Sequence, residues 1–179
     1  MLITSLDNER VKKYIKLKEK KYRDQTGEFI VEGSHLVLEA YRAGLIKELI
    51  LEKEAVFPLD IKDIVYLPMD IINKVSTVET PQTVMALCSK KEENESLGDH
   101  DVQDPGNLGT IIRSAVAFNI DTVILSKNTV DLYNPKTIRA TQGMFFHINV
   151  IKKDLLEVMK YLDDIDVPVY GTLVEHGED

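Results

Sequence analysis

The sequence predicts an α/β fold built from two parts. Short apolar runs alternate with segments whose apolar residues recur at helical spacing, which is typical of strands and helices packed in layers. A Lys-, Glu- and Asn-rich stretch over 89–100 has almost no apolar residue and indicates a linker. We therefore expect a small N-terminal α/β domain over 1–91, a linker and a polar first strand over 92–103, and part of a parallel α/β domain over 104–179.

The composition describes an ordinary globular chain. With 179 residues, of which 44% are hydrophobic, it can bury a sizeable core. Its one cysteine, Cys88, follows the apolar run 84–87, so we expect a buried strand thiol and no disulfide within the chain. The N-terminus lacks a secretory signal and no apolar run is long enough to span a membrane, which predicts a cytoplasmic location.

The charge is unevenly distributed. A net charge of −8 and a pI near 5.1 argue against a typical nucleic-acid-binding domain. Cations nevertheless dominate the first predicted helix, where Glu19 is the one acid among them. These cations are Arg10, Lys12, Lys13, Lys16, Lys18, Lys20, Lys21 and Arg23. With Val11 and Ile15 on its inner side, this amphipathic helix fits either a surface for a polyanion or a solvated helix face.

The rest of the N-terminal part alternates strands and helices. A strand at 29–31 leads through Glu32-Gly33-Ser34 into a helix that Gly44 ends. Further apolar runs predict strands at 46–51, 64–67 and 84–87, with a short helix around 71–75 between the second and third.

The decapeptide 104–113, Asp-Pro-Gly-Asn-Leu-Gly-Thr-Ile-Ile-Arg, is the most informative segment. Asp-Pro-Gly favours a tight turn, after which Asn107 is the expected N-cap of a helix. Helical spacing places Leu108, Ile111, Ile112 and Ala115 inward and Thr110, Arg113 and Ser114 outward. A capped helix start with an outward Arg is suited to binding an anion.

The remaining segments continue the alternation. The continuous apolar run 122–125 predicts a strand buried on both faces. Asn134 can cap a helix whose first residue is Pro135 and which Gly143 closes. We further expect a strand at 145–150, a helix with an apolar stripe over 155–162, and the beginning of a strand at 167–171.

Two capped helix starts carry an Arg, at 104–113 and at 131–143. In a parallel sheet, loops at the carboxyl ends of strands gather on one edge, so both starts could face one phosphate-bearing ligand. The sequence has neither a P-loop nor the dinucleotide glycine fingerprint, which leaves a dehydrogenase-like nucleotide binder as a weak alternative. Its histidines, including His100, His147 and His176, lack ligand spacing, so we expect no metal site.

Residues 103–113 resemble the first signature of the SpoU (TrmH-like) RNA ribose 2′-O-methyltransferases of the SPOUT superfamily. The segments 124–126 and 134–143 are similar to the middle of the same domain. Upstream segments resemble the family's substrate-binding domain, and the likeness extends over nearly the whole chain. These upstream segments are 3–6, 20–23, 29–33 and 79–82.

The resemblance implies S-adenosylmethionine as methyl donor, structured ribosomal or transfer RNA as substrate, and a homodimer. It places Asn107 and Arg113 at catalytic positions, with Arg113 activating the ribose 2′-hydroxyl. Because a guanidinium is a poor proton acceptor, we expect Arg113 to hold a phosphate and stabilise the developing alkoxide. The expected RNA-binding residues are Arg10, Lys12, Lys13, Lys16, Lys20, Lys21, Arg23, Lys136 and Arg139. For Glu32 and His35 we favour structural roles.

The chain departs from the family pattern in three places. It stops before the family's glycine-rich Glu loop and Ser-Leu-Asn stretch, which belong to the knotted segment that binds the methyl donor. The strand before the motif is polar over 96–102, and Val116 and Asn119 replace the usual acid and glycine. We expect a truncated SPOUT-type domain that is catalytically inactive, or, as the alternative, an RNA-binding module without chemistry.

Overall fold

The computed structural model describes residues 1–91, 102–126 and 128–171. The helices are α1 (Glu9–Lys16), α2 (Lys20–Thr26), α3 (Ser34–Arg42), α4 (Met69–Val75), α5 (Pro105–Ala117), α6 (Pro135–Ala140) and α7 (Leu155–Asp164). The strands are β1 (Glu28–Glu32), β2 (Ile46–Glu52), β3 (Ile64–Leu67), β4 (Val84–Ser89), β5 (Thr122–Leu125) and β6 (Asn149–Lys152). We call residues 1–91 the N-terminal half and residues 102–171 the C-terminal half.

The N-terminal half contains a four-stranded mixed sheet in the order β1-β4-β2-β3. Strand β4 is antiparallel to β1 and β2, whereas β2 and β3 are parallel. Successive residues of β4 point to opposite faces, and both faces are buried, which explains its continuous apolar run. Met85 and Leu87 pack in the same core as α1 and α4, whereas Ala86 and Cys88 pack in the core that contains α3. The buried thiol at Cys88 confirms the sequence prediction.

The core on the α3 side continues into the C-terminal half. Phe29 of β1 and Val37 of α3 belong to the same buried cluster as Leu108 and Ile112 of α5 and Phe145. The hydrophobic core therefore crosses the predicted linker rather than stopping at it.

The basic N-terminal segment forms two helices, not one, because the chain turns at Leu17, which is buried. The inner residues are Val11, Tyr14 and Leu17, at three-residue spacing, and Ile15 is only partly buried. Tyr14 reaches the inner side because its hydroxyl hydrogen-bonds the Glu48 carboxylate.

In the C-terminal half, one strand is more exposed and another begins later than the sequence predicts. Strands β5 and β6 pair in parallel, but Ile124 is 36% exposed, so the expected burial on both faces was wrong. The predicted strand at 145–150 begins instead as a 3₁₀ turn, Met144–Phe146, and β6 starts at Asn149. Phe145 and Phe146 are adjacent and both buried, whereas strand geometry would point them to opposite faces.

Helix α7 confirms the predicted helix, and Asp154 caps it by accepting from the amide of Leu156 at 2.9 Å. Of the predicted stripe, Leu155, Val158 and Leu162 are partly buried, whereas Met159 is exposed. None of its residues is buried. The expected strand at 167–171 does not form in the described chain, and Tyr170 is 88% exposed. Within the described ranges no helix is long and apolar enough to cross a membrane. The linker at 92–100, most of the polar stretch 96–102, and His176 lie outside the described residues.

Candidate functional site

The motif helix α5 begins three residues earlier than the sequence predicts. Asp104 is its N-cap, and its Oδ1 accepts from the backbone amide of Asn107 at 2.8 Å. Pro105 is already helical because proline is preorganised for the first helical position. The predicted tight turn and the N-cap role of Asn107 were therefore wrong. The side chain of Asn107 is not occupied by capping, and the residue is exposed.

Helix α5 presents its polar residues in two directions. Asn107 lines an open groove of about 620 Å³ with Gln103, Asp104 and Thr110, whereas Arg113 is exposed outside that groove. Arg113 makes no ion pair with any described residue. The inward prediction holds for Leu108 and Ile112, but Ile111 is 42% exposed and belongs to the groove. The structure thus separates the two expected catalytic side chains around the helix.

Gly109 is a structural requirement of the motif that the sequence reasoning missed. A Cβ at this position would lie 2.5 Å from Cβ of Ala140 and 2.6 Å from its carbonyl carbon. The two helices α5 and α6 therefore touch backbone to backbone, which only glycine permits. A glycine in the middle of a helical apolar stripe was the available signal.

Helix α6 starts as predicted, with Asn134 Oδ1 accepting from the Lys136 amide at 2.9 Å and Pro135 at the first position. Lys136 is exposed. Arg139 Nη1 donates to Thr77 Oγ1 at 2.9 Å, which ties α6 to the N-terminal half.

Arg139 of α6 and Asn107 of α5 line different grooves. Arg139 lies in a groove between the halves with Ser34, His35, Gln82 and Gln142, and Asn107 lies in the separate groove described above. The contact between α5 and α6 involves Ala140, the last residue of α6, so the beginning of α6 points elsewhere. The groove beside Asn107 does not include the start of α6, and one shared phosphate site stays a prediction.

Most cations of the basic segment already have acidic partners. The pairs are Arg10 with Asp63 at 3.2 Å, Lys12 with Glu9 at 3.4 Å, Lys13 with Glu28 at 2.6 Å, Lys20 with Asp24 at 2.5 Å, and Arg23 with Asp131 at 2.6 Å. Several of these acids lie far away in sequence, so a local count of charges could not reveal them. The exposed pairs among them, such as Lys12 with Glu9, are weak, and they reduce rather than abolish the attraction for a polyanion.

Arg23 is not an RNA-binding residue in this structure, because it is 2% exposed. Its Nη1 donates to the carbonyls of Leu17 and Lys18, and its Nη2 donates to Asp131. Amphipathic patterning cannot distinguish an inward Arg from an outward one when the acid that compensates it comes from another part of the chain.

Lys16 and Lys21 remain as exposed cations, and both lie beside the ring of Tyr22, at 5.6 and 6.0 Å from its centroid. Lys18 instead donates to the carbonyl of Lys74 at 2.6 Å, and burial lowers the pKa of its ammonium group. With Lys136 on α6, Lys16 and Lys21 are the predicted RNA contacts that are exposed and make no ion pair with a described residue.

The polar groups near the junction have structural partners. Glu32 accepts from Ser76 Oγ at 2.6 Å and from the amides of Gln82 and Thr77 at 3.1 and 3.3 Å, as expected for a polar group at a strand end. His35 contacts the carbonyl of Gln142 at 3.0 Å. In the described parts of the chain no group of three or more His, Cys, Asp or Glu residues is arranged to hold a metal ion.

The groove beside Asn107 does not fit a bound S-adenosylmethionine on its own. It is an open depression, and the Asp104 carboxylate within it is engaged in capping α5. Small-molecule cofactors ordinarily occupy enclosed and largely apolar pockets. We therefore assign no described residue to the methyl donor.

Two family models match the chain. A model described as the SpoU rRNA Methylase family matches residues 98–179. A second, the MRM3-like substrate binding domain, matches residues 8–86.

Individual relatives agree with both matches. The 23S rRNA (guanosine(2553)-2'-O)-methyltransferase RlmP of Bacillus subtilis is 40% identical, over 98% of this chain and 74% of the relative. Human mitochondrial rRNA methyltransferase 3 is 29% identical, over 75% of this chain but 37% of the relative. A crystal structure of an AdoMet-bound rRNA methyltransferase from Sinorhizobium meliloti has a TM-score of 0.75 at 29% identity, covering 91% of this chain and 68% of that one.

Proposed function

Because the chain belongs to the SpoU rRNA methylase family, we propose that it serves ribose 2′-O-methylation of ribosomal RNA, with α5 as its catalytic helix. S-adenosylmethionine is the methyl donor of the family, as the bound relative illustrates. The observation that carries the proposal is the capped start of α5, which leaves the side chains of Asn107 and Arg113 exposed. The relatives named as rRNA methyltransferases favour ribosomal over transfer RNA.

Asn107 and Arg113 would have different tasks. The amide of Asn107 can both donate and accept, which suits a contact to a ribose hydroxyl in the groove. A guanidinium is cationic, so Arg113 would bind a phosphate next to the target nucleotide and stabilise the negative charge that develops on the 2′-oxygen. Their placement on different sides of α5 implies that the RNA passes around the helix rather than entering one pocket.

We propose that the 179-residue chain does not methylate RNA by itself. The methyl donor supplies the activated methyl group, and the groove beside Asn107 is too open to hold it. Isothermal titration of the chain with S-adenosylmethionine should give no specific heat. Micromolar affinity would contradict this part of the proposal.

RNA binding should survive without the donor and should depend on the accessible cations. If Lys16, Lys21 and Lys136 contact phosphates, replacing each by Gln should reduce the slope of log affinity against log salt by about 1. The assay is filter binding to a ribosomal RNA fragment at several salt concentrations.

A matched control is Lys12→Gln, because Lys12 is already paired with Asp7 and Glu9. The control should change the slope less than any of the three test variants. An equal change for Lys12 and Lys16 would mean that RNA binding does not use the accessible cations selectively.

An RNA-binding module without chemistry is the second candidate. It is favoured by the separate core on the α1 and α4 side of the sheet, which lies entirely within the N-terminal half. Mass spectrometry of nucleosides from RNA incubated with the chain and S-adenosylmethionine should show no 2′-O-methylated product under either candidate. The variant Arg113→Gln distinguishes the two in the binding assay, since it should reduce the salt slope by about 1 if α5 contacts a phosphate and leave the slope unchanged if the RNA contacts the N-terminal half alone. A homodimer and a cytoplasmic location are parts of the proposal that sedimentation and cell fractionation test.

A further inference from the structure

We propose that Lys91 and the Arg23–Asp131 pair are positioning residues that fix α5 relative to the N-terminal half. In this view the substrate-binding half helps to orient the catalytic helix in addition to contacting RNA. The catalytic assignment of α5 rests on the proposed function, but the rigid connection can be tested without any activity.

The first connection is a buried ion pair between the halves. Arg23 of α2 and Asp131, in the loop before α6, meet at 2.6 Å, and their side chains are 3% and 11% exposed. Asp131 also accepts from the backbone amide of Tyr133 at 3.0 Å. Because a buried charge is costly without its partner, this pair favours one arrangement of the two halves over others.

The second connection is Lys91, two residues after β4. Its Nζ donates to the carbonyl of Phe146 at 2.9 Å and lies 3.3 Å from those of Phe145 and Ile148. Its backbone amide donates to the hydroxyl of Tyr133 at 3.0 Å. Three carbonyls match the three N–H groups of an ammonium, so the first residues after the sheet are bound to the C-terminal half. Burial lowers the pKa of this ammonium group.

Between these polar contacts lies a cluster of aromatic rings from both halves. The ring of Phe29 is 4.8 Å from that of Tyr133 and 6.2 Å from that of Phe145, measured between centroids. Rings at these distances pack specifically and resist sliding. Lys90 lies over the Tyr133 ring at 4.8 Å and also pairs with Asp24 at 2.7 Å.

The connection reaches α5 through α6. Asp131 and Tyr133 immediately precede the Asn134 cap of α6, and Ala140 at the other end of α6 touches Gly109 of α5. Between Asp131 and α5, the links are a helix cap and a contact between two backbones. A displacement of the loop at Asp131 would therefore move the helix that carries Asn107.

The test measures the distance between the halves directly. Spin labels are attached at Asn73→Cys on α4 and Ser114→Cys on α5, both exposed positions, and Cys88 stays unlabelled because it is buried. Double electron–electron resonance should give one narrow distance distribution in the labelled parent. Lys91→Met should widen the distribution about twofold or add a second distance, as expected when a packed interface gains another arrangement.

The control is Lys53→Met, because Lys53 is exposed and pairs with its neighbour Glu54 at 3.5 Å. It should leave the distribution unchanged. If Lys91→Met fails to fold, Tyr133→Phe removes the hydroxyl that accepts from the Lys91 amide and should widen the distribution by less. A broad distribution in the parent, or an unchanged one in folded Lys91→Met, would overturn the proposal, whatever the chain does to RNA.

Discussion

The two halves of the molecule bury their residues in different ways. The N-terminal sheet has a core on each face, and one of these cores contains no residue of the C-terminal half. In the C-terminal half, the buried residues of α5 and the Phe145–Phe146 turn join the core of the N-terminal sheet. Helix α7, on the other hand, has no buried residue, and Leu156 and Tyr161 are 67% and 62% exposed.

Helix α5 packs mainly on α6, the Met144–Phe146 turn and β5 of its own half, and it joins the core of the N-terminal half through these neighbours. Leu108 and Ile112 of α5 are fully buried in the shared core. The sheet of the C-terminal half has two described strands, whereas that of the N-terminal half has four. The described C-terminal half therefore has an ordered side, which faces the N-terminal half, and a sparsely packed side at α7.

The largest expected effect follows from breaking the ion pair between the halves. Arg23→Met leaves the Asp131 carboxylate without its charge partner, so the free energy of unfolding should fall by about 3–5 kcal/mol. Urea denaturation followed by circular dichroism measures it. Arg10→Met is the control, because the side chains of Arg10 and Asp63 are 38% and 45% exposed, and it should cost about 0–1 kcal/mol. Equal losses would show that Arg23 does not hold the halves together.

A smaller effect is expected where α5 and α6 touch. Gly109→Ala forces a Cβ to within 2.6 Å of the Ala140 carbonyl carbon, so it should destabilise the protein by about 1–3 kcal/mol. Gly171→Ala, where a Cβ would meet nothing within 4 Å, should change stability by less than about 0.5 kcal/mol. Thermal unfolding compares the two, and a neutral Gly109→Ala would mean that the helices separate easily.

Acid should weaken the N-terminal half through Glu28. Burial alone would raise the pKa of this carboxyl, but hydrogen bonds from Lys13 and Lys47 outweigh it and hold the pKa below its ordinary value of 4.5. A pKa that is lower in the folded state gives stability that is present above pH 4.5 and is lost as the pH falls through the folded value.

Glu28→Gln should flatten the fall in unfolding free energy on the acid side of pH 4.5, measured by urea titration at several pH values. Glu39 gives a residual slope of the same sign, because the hydrogen bond from His147 and the charge of Arg42 lower the pKa of its carboxyl. A slope unchanged in Glu28→Gln would assign the acid sensitivity to other carboxyls.

Sequence patterns predicted the positions of helices and strands better than they predicted which of their residues are buried. Strands β1 to β4 and helices α3, α4 and α7 lie where apolar periodicity indicates them. The same patterns predicted a strand at 145–150, because a run of apolar residues does not reveal that two neighbouring rings pack on the same side. The burial of β5 was overestimated because the local sequence does not show which elements cover its faces.

The candidate site shows the same limit. The motif identified α5 and its two expected catalytic residues, Asn107 and Arg113, but not that Asp104 rather than Asn107 caps the helix. It also could not show that Arg23 pairs with Asp131, since these residues are 108 positions apart. A count of charges along the chain cannot show which distant residues form ion pairs in the folded protein.

Hydrogen exchange of the unmodified chain, read by mass spectrometry, tests most directly whether the motif helix belongs to the same cooperative unit as the N-terminal sheet. We predict that peptides covering the amides of Leu108 to Ile112 are protected to a similar degree as those of β1, while α7 exchanges much faster. If β1 is protected while α5 exchanges as fast as α7, then α5 unfolds separately from the N-terminal sheet, contrary to this prediction.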